Sequence, residues 1–252
     1  MRLGDLSSPA LAALIGGPRP VVALVPVGST EPHGPHLPLA TDVIISDAAC
    51  ARAVAALDGA GVSALIAPAV PYGVTECAAG FAGAVSVPAA VLTAYLAAVA
   101  EGLLAQGFVH VCLVNNHLEP AHDAAVRAAA TGDRRDRRVS VACPLTRRWA
   151  RTLSDEFKSG ACHAGRYETA IVLAATPALV DEAARAALPA ISISLSEQLQ
   201  AGVTTFAAMG MDRAYTGAPA AATAGEGEVQ LARLAEMIVA EVCEAMARAS
   251  AP

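Results

Sequence analysis

Two short stretches of this chain pair a carboxylate with an imidazole at positions i and i+2. Glu31-Pro32-His33 lies within VGSTEPHGPHLPLATD (27–42), and His117-Leu118-Glu119 within NNHLEP (115–120). In extended backbone, side chains two apart share a face, so each pair can address one site. Asp42 adds a carboxylate shortly after the first pair. Glu31, His33, Asp42, His117 and Glu119 make a set of N/O ligands suited to a borderline or hard divalent ion such as Zn²⁺, Mn²⁺ or Fe²⁺, not to a soft thiolate site. They exceed what one catalytic ion with an open position needs. If Asp42 bridges, they divide evenly between two ions, an arrangement that clamps and activates water.

A third stretch, CHAGRYETA (162–170), adds His163 and Glu168. A histidine outside the metal shell can take or give a proton near neutrality. The plainer readings stay open beside these: Asp42 as a helix N-cap, Glu168 as a first-turn helix acid, His163 as a hydrogen-bonded loop histidine. His36 sits off the face shared by Glu31 and His33 and reads as supporting or structural. His110, inside a strand, and His122, inside a helix, read as structural. Ser29 and Ser86 lack the GxSxG elbow of a serine hydrolase, and no GxGxxG or GxxxxGK[ST] supports a nucleotide site.

Four β-branched apolar runs must position these residues: PVVALVPVGS (20–29), VSALIAPAVPYG (62–73), FVHVCLVNNH (108–117) and RVSVACPL (138–145). Each reads as a buried parallel strand. Helices are expected over 42–57, 88–106 (capped near Ser86), 119–131, 147–158, 169–175 and 177–187. A helix start is also expected at Asp5-Leu6-Ser7-Ser8-Pro9, with proline early in the helix. The C-terminal GEGEVQLARLAEMIVAEVCEAMARA is amphipathic, with acids early and arginines late as the macrodipole favours. Residues 190–220 are weakly patterned, and ISISLSEQL there reads as an edge strand or a loop. The alternation predicts a single domain over 1–252, a three-layer α/β/α fold with a mostly parallel central sheet. Sites in such sheets form beyond the carboxyl ends of strands. The first strand feeds Glu31 and His33, and the third feeds His117 and Glu119.

The bulk composition excludes other classes. Net charge is −6, which argues against nucleic acid or an anionic membrane as the main partner. The one basic cluster, RRDRR (134–138), reads as a solvated loop. No run of apolar residues is long enough for a membrane span, and the N-terminus lacks the pattern of a secretory signal. Six scattered cysteines without a CxxC pair imply reduced thiols and a cytoplasmic protein.

At the ligand-bearing residues the chain resembles the creatininase family of metal-dependent amidohydrolases. VPVGSTEPHGPHLPLATD is similar to the family's P-x-G-S-x-E-Q-H-G-P-H-L-P-L-x-T-D stretch, with Pro32 where glutamine is usual. YGVTECAAGFAGAVSV (72–87) resembles its Y-G-x-S loop, VNNHLEP its N-G-H-x-x-N turn, CHAGRYETA its H-A-G-x-x-E-T-S segment and GAPAAATAGEGE (217–228) its C-terminal A-T-x-E-K-G-E stretch. These run in family order over nearly the whole chain. The resemblance implies two divalent ions, zinc or manganese with iron possible. Glu31, Asp42 and His117 would hold one ion and His33, Asp42 and Glu119 the other, with Glu168 either supporting that shell or replacing Glu119. It implies His163 and Glu119 as catalytic residues, Thr75, Leu118 and His163 as substrate contacts, and a homo-oligomer, often a hexamer.

Three departures bear on substrate. Leu118 stands where creatininase proper has tyrosine, Ser159 and Gly160 where it has Trp-Asp, and Thr75 where it has serine. The first two remove an aromatic wall and hydrogen-bonding groups that would hold a creatinine ring, a loss that costs discrimination. The expected activity is therefore hydrolysis of a non-peptide C–N bond, in a cyclic or linear amide or a formamide other than creatinine. The alternatives are a peptidase that trims a peptide cofactor precursor, and a metal-holding homologue without catalysis.

Overall fold

The computed structural model describes residues 1–132 and 138–249. The expected basic loop falls largely outside them. Of its residues only Arg138 is described, and its guanidinium donates to the Phe108 carbonyl.

Four strands form one parallel sheet: β1 (Val21–Val27), β2 (Ser63–Ile66), β3 (His110–Asn115) and β4 (Val139–Ala142), in the order β2-β1-β3-β4. The helices are α1 (Ser8–Ile15), α2 (Thr41–Gly59), α3 (Ala89–Ala105), α4 (Pro120–Ala129), α5 (Arg147–Ala150), α6 (Asp155–Lys158), α7 (Arg166–Ala175), α8 (Glu182–Ala186), α9 (Leu195–Gln200) and α10 (Ala224–Ala249). Every residue of β1 is buried, because it lies mid-sheet with helices on both faces. Its alternate side chains part between two cores. Val22 and Leu24 join Ile45, Ala49, Ala53 and Leu57 of α2 with Leu234, Ile238 and Val242 of α10. Val21, Ala23 and Val25 join Leu92, Leu96 and Leu104 of α3 and Val126 of α4. The stripes at i, i+4 in α2 and α3 are what makes these helices lie flat on the sheet. Burying each leucine contributes about 2 kcal/mol. The result is the three-layer α/β/α fold.

The run 62–73 is shorter as a strand than its composition predicts. Pro68 and Pro71 have no N–H to give a ladder, so β2 ends at Ile66 and only Val70 returns to bridge Val27. That ending also accommodates Pro26 inside β1. Its carbonyl accepts from Val70, and its nitrogen faces the same side, where β2 has stopped. Three further expectations are corrected. Ser86 does not cap α3: its hydroxyl accepts from the Thr75 amide and donates to Glu76, and Pro88 is the capping residue. The expected 147–158 helix is two, because Ser154 starts α6 by accepting from the Phe157 amide. Within 190–220, ISISLSEQL is neither edge strand nor loop throughout: Ile191 bridges Gly217, and Leu195–Gln200 is helical.

Candidate metal centre

The carboxyl ends of β1 and β3 converge on one polar cluster. Gly28 lets the exit of β1 lie against the start of α2. A Cβ there would sit 2.8 Å from the Asp42 Cβ. This approach sets Ser29 beside Asp42, whose Oδ2 accepts from the Ser29 hydroxyl at 3.0 Å and amide at 3.3 Å. Asp42 is thus not the cap of α2, whose N-cap residue is Ala40 and has no side-chain hydrogen bond. Its carboxylate turns inward, and α7 brings Glu168 to the same place, anchored by the Ala164 amide at 2.6 Å.

Each histidine of the cluster gives one ring N–H to a backbone carbonyl and aims its other nitrogen inward. His33 Nδ1 donates to the Glu31 carbonyl at 3.1 Å, His117 Nε2 to Val74 at 2.7 Å, and His163 Nε2 to Pro32 at 3.0 Å. His33 Nε2 then lies 3.2 Å from Asp42 Oδ1 and 3.6 Å from Glu168 Oε2. His117 Nδ1 lies 3.0 Å from Asp42 Oδ2 and 3.3 Å from Glu31 Oε1. His163 Nδ1 lies 3.8 Å from Glu31 Oε1. His163 is sandwiched between the rings of His33 and Phe206, with both centroid separations 4.4 Å.

Two features of the donor set call for a cation. Neutral imidazole lone pairs facing carboxylate lone pairs in a buried site repel unless a cation stands between them. His33 Nε2 is also buried without any hydrogen-bond partner among the described residues. Three overlapping groups have ligand atoms all within 4.8 Å of one another: Glu31/Asp42/His117, His33/Asp42/Glu168 and Glu31/His33/His163. The residues fit divalent ions.

The electrostatics make the same demand for positive charge. Burial would raise Glu31, but His117 beside it wins and holds it down, to about 2. Burial would lower His33, yet Asp42 and Glu168 raise it, to about 10, and Glu31 and Asp42 likewise raise His117. Burial pushes Glu168 up to about 8. His163 is kept neutral, lowered to about 4 by burial and then by the charge of His33.

Two further predicted residues, Glu119 and Thr75, make hydrogen bonds within the chain beside these groups. Glu119 belongs to none of the three groups. Its oxygens accept from the amides of Glu76 at 3.1 Å and Cys77 at 3.0 Å, holding the 74–77 loop. Thr75 gives its hydroxyl to Glu31 Oε2. Leu118 and Gly160 do line the cavity next to the cluster, whereas Ser159 turns away and donates to the Glu156 carbonyl. His36 bonds the Thr169 hydroxyl at 2.8 Å, and His110 bonds Ser140 at 2.8 Å.

The cavity has a volume of about 670 Å³ and opens on Glu31, Asp42, His117 and His163. Leu118, Leu145, Phe157, Leu195, Leu199 and Phe206 form much of its wall. The last three come from the segment that has no clear periodicity. One signal there was readable: Ser194 caps α9, its hydroxyl accepting from the amide of Glu197 in the first turn. All six cysteines are free thiols, and among the described residues no helix is long and apolar enough to cross a membrane.

The sequence profile described as "Creatininase: Creatinine amidohydrolase" matches residues 4–244. The chain is 34% identical over 212 residues to the "Mycofactocin precursor peptide peptidase" of Mycolicibacterium smegmatis, covering 82% of this chain and 78% of that protein. It is 31% identical over 234 residues to the protein of that name from Mycobacterium tuberculosis, covering 88% and 85%. Among solved structures it is similar to "Creatininase Mn" (TM-score 0.68, 23% identity, 96% and 97% covered) and to a creatininase variant of "Zn-Zn type" (TM-score 0.71, 21% identity, 96% of each). At these identities the structures establish the fold.

Proposed function

The chain belongs to the creatininase family of C–N bond hydrolases, and from that membership we propose that it uses two divalent ions to cut an amide bond in a peptide. Glu31, Asp42 and His117 would hold one ion and His33, Asp42 and Glu168 the other. Zinc or manganese suits the set and iron is possible, since N/O ligands accept all three. Bound there, such ions supply Lewis acidity that acidifies water and polarises a carbonyl. Glu168 is given the second position because its Oε2 lies with the ligand atoms of His33 and Asp42, whereas Glu119 belongs to none of the three groups.

The rest of the reaction falls to the chain itself. His163 keeps its Nε2 proton on the Pro32 carbonyl, so its Nδ1 is free to accept a proton from the attacking water and return it to the leaving nitrogen. The rings of His33 and Phe206 hold that nitrogen toward Glu31. Thr75 orients Glu31, and Leu118 lines the substrate space.

The cavity carries the choice of a peptide. Its 670 Å³ lies within the range that takes drug-sized ligands, roughly 300–1,000 Å³, with six large apolar side chains on its wall. A bare small lactam would leave most of that wall unpaired. The mycobacterial relatives, named for trimming a peptide precursor, support the same choice over the small-amide reading. A homo-oligomer remains the expected assembly, and the outward face of α3, with Val91 57% and Tyr95 55% exposed, offers an apolar surface for it. The test is to load the protein with Zn²⁺ or Mn²⁺ and follow, by mass spectrometry, a panel of precursor-type peptides, lactams and formamides. Cleavage confined to the peptides is expected. Turnover of lactams alone would overturn the peptide reading, and none at full metal occupancy would favour the inactive homologue.

A further inference from the structure

His122 belongs to neither proposed ion group and from sequence reads as structural, yet it is fully buried against one of the ligands. Its ring meets the ring of His117 edge-on at 4.6 Å. Its Nδ1 accepts from the Val74 amide at 3.2 Å, and the carbonyl of that same Val74 accepts from His117 Nε2 at 2.7 Å. An unbroken relay therefore runs from His122 through one residue's backbone to the imidazole whose Nδ1 faces Glu31 and Asp42. The backbone is shaped for it. At Gly73 a Cβ would lie 2.3 Å from His122 Nδ1 and 3.0 Å from the Gly28 carbonyl, so only glycine lets Val74 reach between the two histidines.

We propose that His122 is a positioning residue for His117, acting through Val74. A ligating histidine is held by what its other nitrogen bonds, and such partners set both ring orientation and ligand basicity. Here the partner is the carbonyl of Val74, in a loop whose next residues are held by Ser86, Glu31 and Glu119, while the Val74 amide is held by His122. His122 pins that loop residue by its amide and meets the His117 ring from the side. Because Nδ1 accepts, the proton of neutral His122 sits on Nε2, which is buried with no partner among the described residues. Leaving a buried donor of this kind unpaired lowers stability, a cost that calls for a reason. A leucine would avoid that cost but would strip the Val74 amide of its acceptor.

This inference rests on the reading of His117 as a metal ligand. The experiment measures Zn²⁺ affinity by chelator competition for the full-length protein and for His122→Leu and His122→Asn, with thermal unfolding alongside. His122→Leu is expected to weaken Zn²⁺ binding about tenfold. His122→Asn, whose Oδ1 can accept from Val74, restores most of it. A residue that only filled the core would lower Tm and leave Zn²⁺ affinity unchanged, and that result overturns the proposal, as does Asn binding no better than Leu. If the unaltered protein binds no Zn²⁺, the ligand reading itself falls and this one with it. ¹⁵N-edited NMR of the unaltered protein gives a check independent of the variants: His122 should be the Nε2–H tautomer, and an Nδ1–H tautomer overturns the proposal.

Discussion

The metal cluster and the wall of the cavity beside it are built on opposite terms. In the cluster, Glu31, His33, Asp42, His117 and Glu168 are each held by at least one directional bond from backbone or a hydroxyl. The wall residues Leu118, Leu195, Leu199 and Phe206 are held by packing, the last three with Cys77, Met209 and Met211 in a small core. Directional bonds demand particular residue types at particular spacings. Packing demands only volume and apolarity. The cluster can therefore stay constant while the wall changes what is cut.

The predictions test that division, from the largest effect to the smallest. Asp42 belongs to both ion groups, so Asp42→Ala should remove more than one ion per chain and lower kcat/KM about 10⁴-fold. Elemental analysis showing full metal content would break the bridging assignment. His163→Ala should lower kcat about 10³-fold, a typical proton-transfer contribution, with metal content unchanged; lost metal would instead make His163 a ligand. A pair of variants separates the two acids. Glu168→Gln should weaken one ion by 10- to 100-fold while Glu119→Gln keeps both ions, and the reverse pattern would return Glu119 to the shell.

His110, in the sheet and apart from both regions, provides a pH control. Burial lowers it from 6.5 to about 4. The folded chain then binds fewer protons than the unfolded one between those values, so stability is unaffected above about pH 6.5 and falls as pH drops toward 4. The loss should be about 2–3 kcal/mol in urea unfolding, and His110→Gln, which can still bond Ser140, should flatten it. An equal acid slope in the variant would place the titration elsewhere. Last, Leu199→Ala should raise KM for an apolar peptide about tenfold with kcat and metal content intact, the worth of one side chain in a pocket. A fall in metal content would show that wall and cluster are not separable.

The strands and most helices were legible from period alone. β1 throughout, and β3 between His110 and Asn115, are apolar because both faces are covered, and α3 carries its stripe at Leu92, Leu96 and Leu104. What misled was local chemistry with two outcomes. Pro68 and Pro71 shortened a strand-like run, and Ser86 spent its hydroxyl on the 75–76 loop instead of on a helix end. In the centre, Glu31, His33, Asp42 and His117 announced themselves by type and spacing at strand exits. Glu119 and Glu168 did not sort themselves, because both are acids in motifs near the cluster and both accept from backbone amides; it is their placement in the fold that brings the Glu168 oxygen near His33 and puts Glu119 on the amides of Glu76 and Cys77.

The amino-acid sequence by itself determined the layered α/β fold, the strand ends at which the site forms and the N/O character of its ligands. Each of these follows from a periodicity or a residue type that any register of the chain would carry. Tertiary structure decided the rest: Glu168 facing His33 and Asp42, His122 reaching His117 through Val74, and α9 with Phe206 closing the cavity. The reason is physical. Those contacts join segments far apart in the chain, and their geometry depends on packing and on who satisfies whose hydrogen bond, information that no local spacing contains.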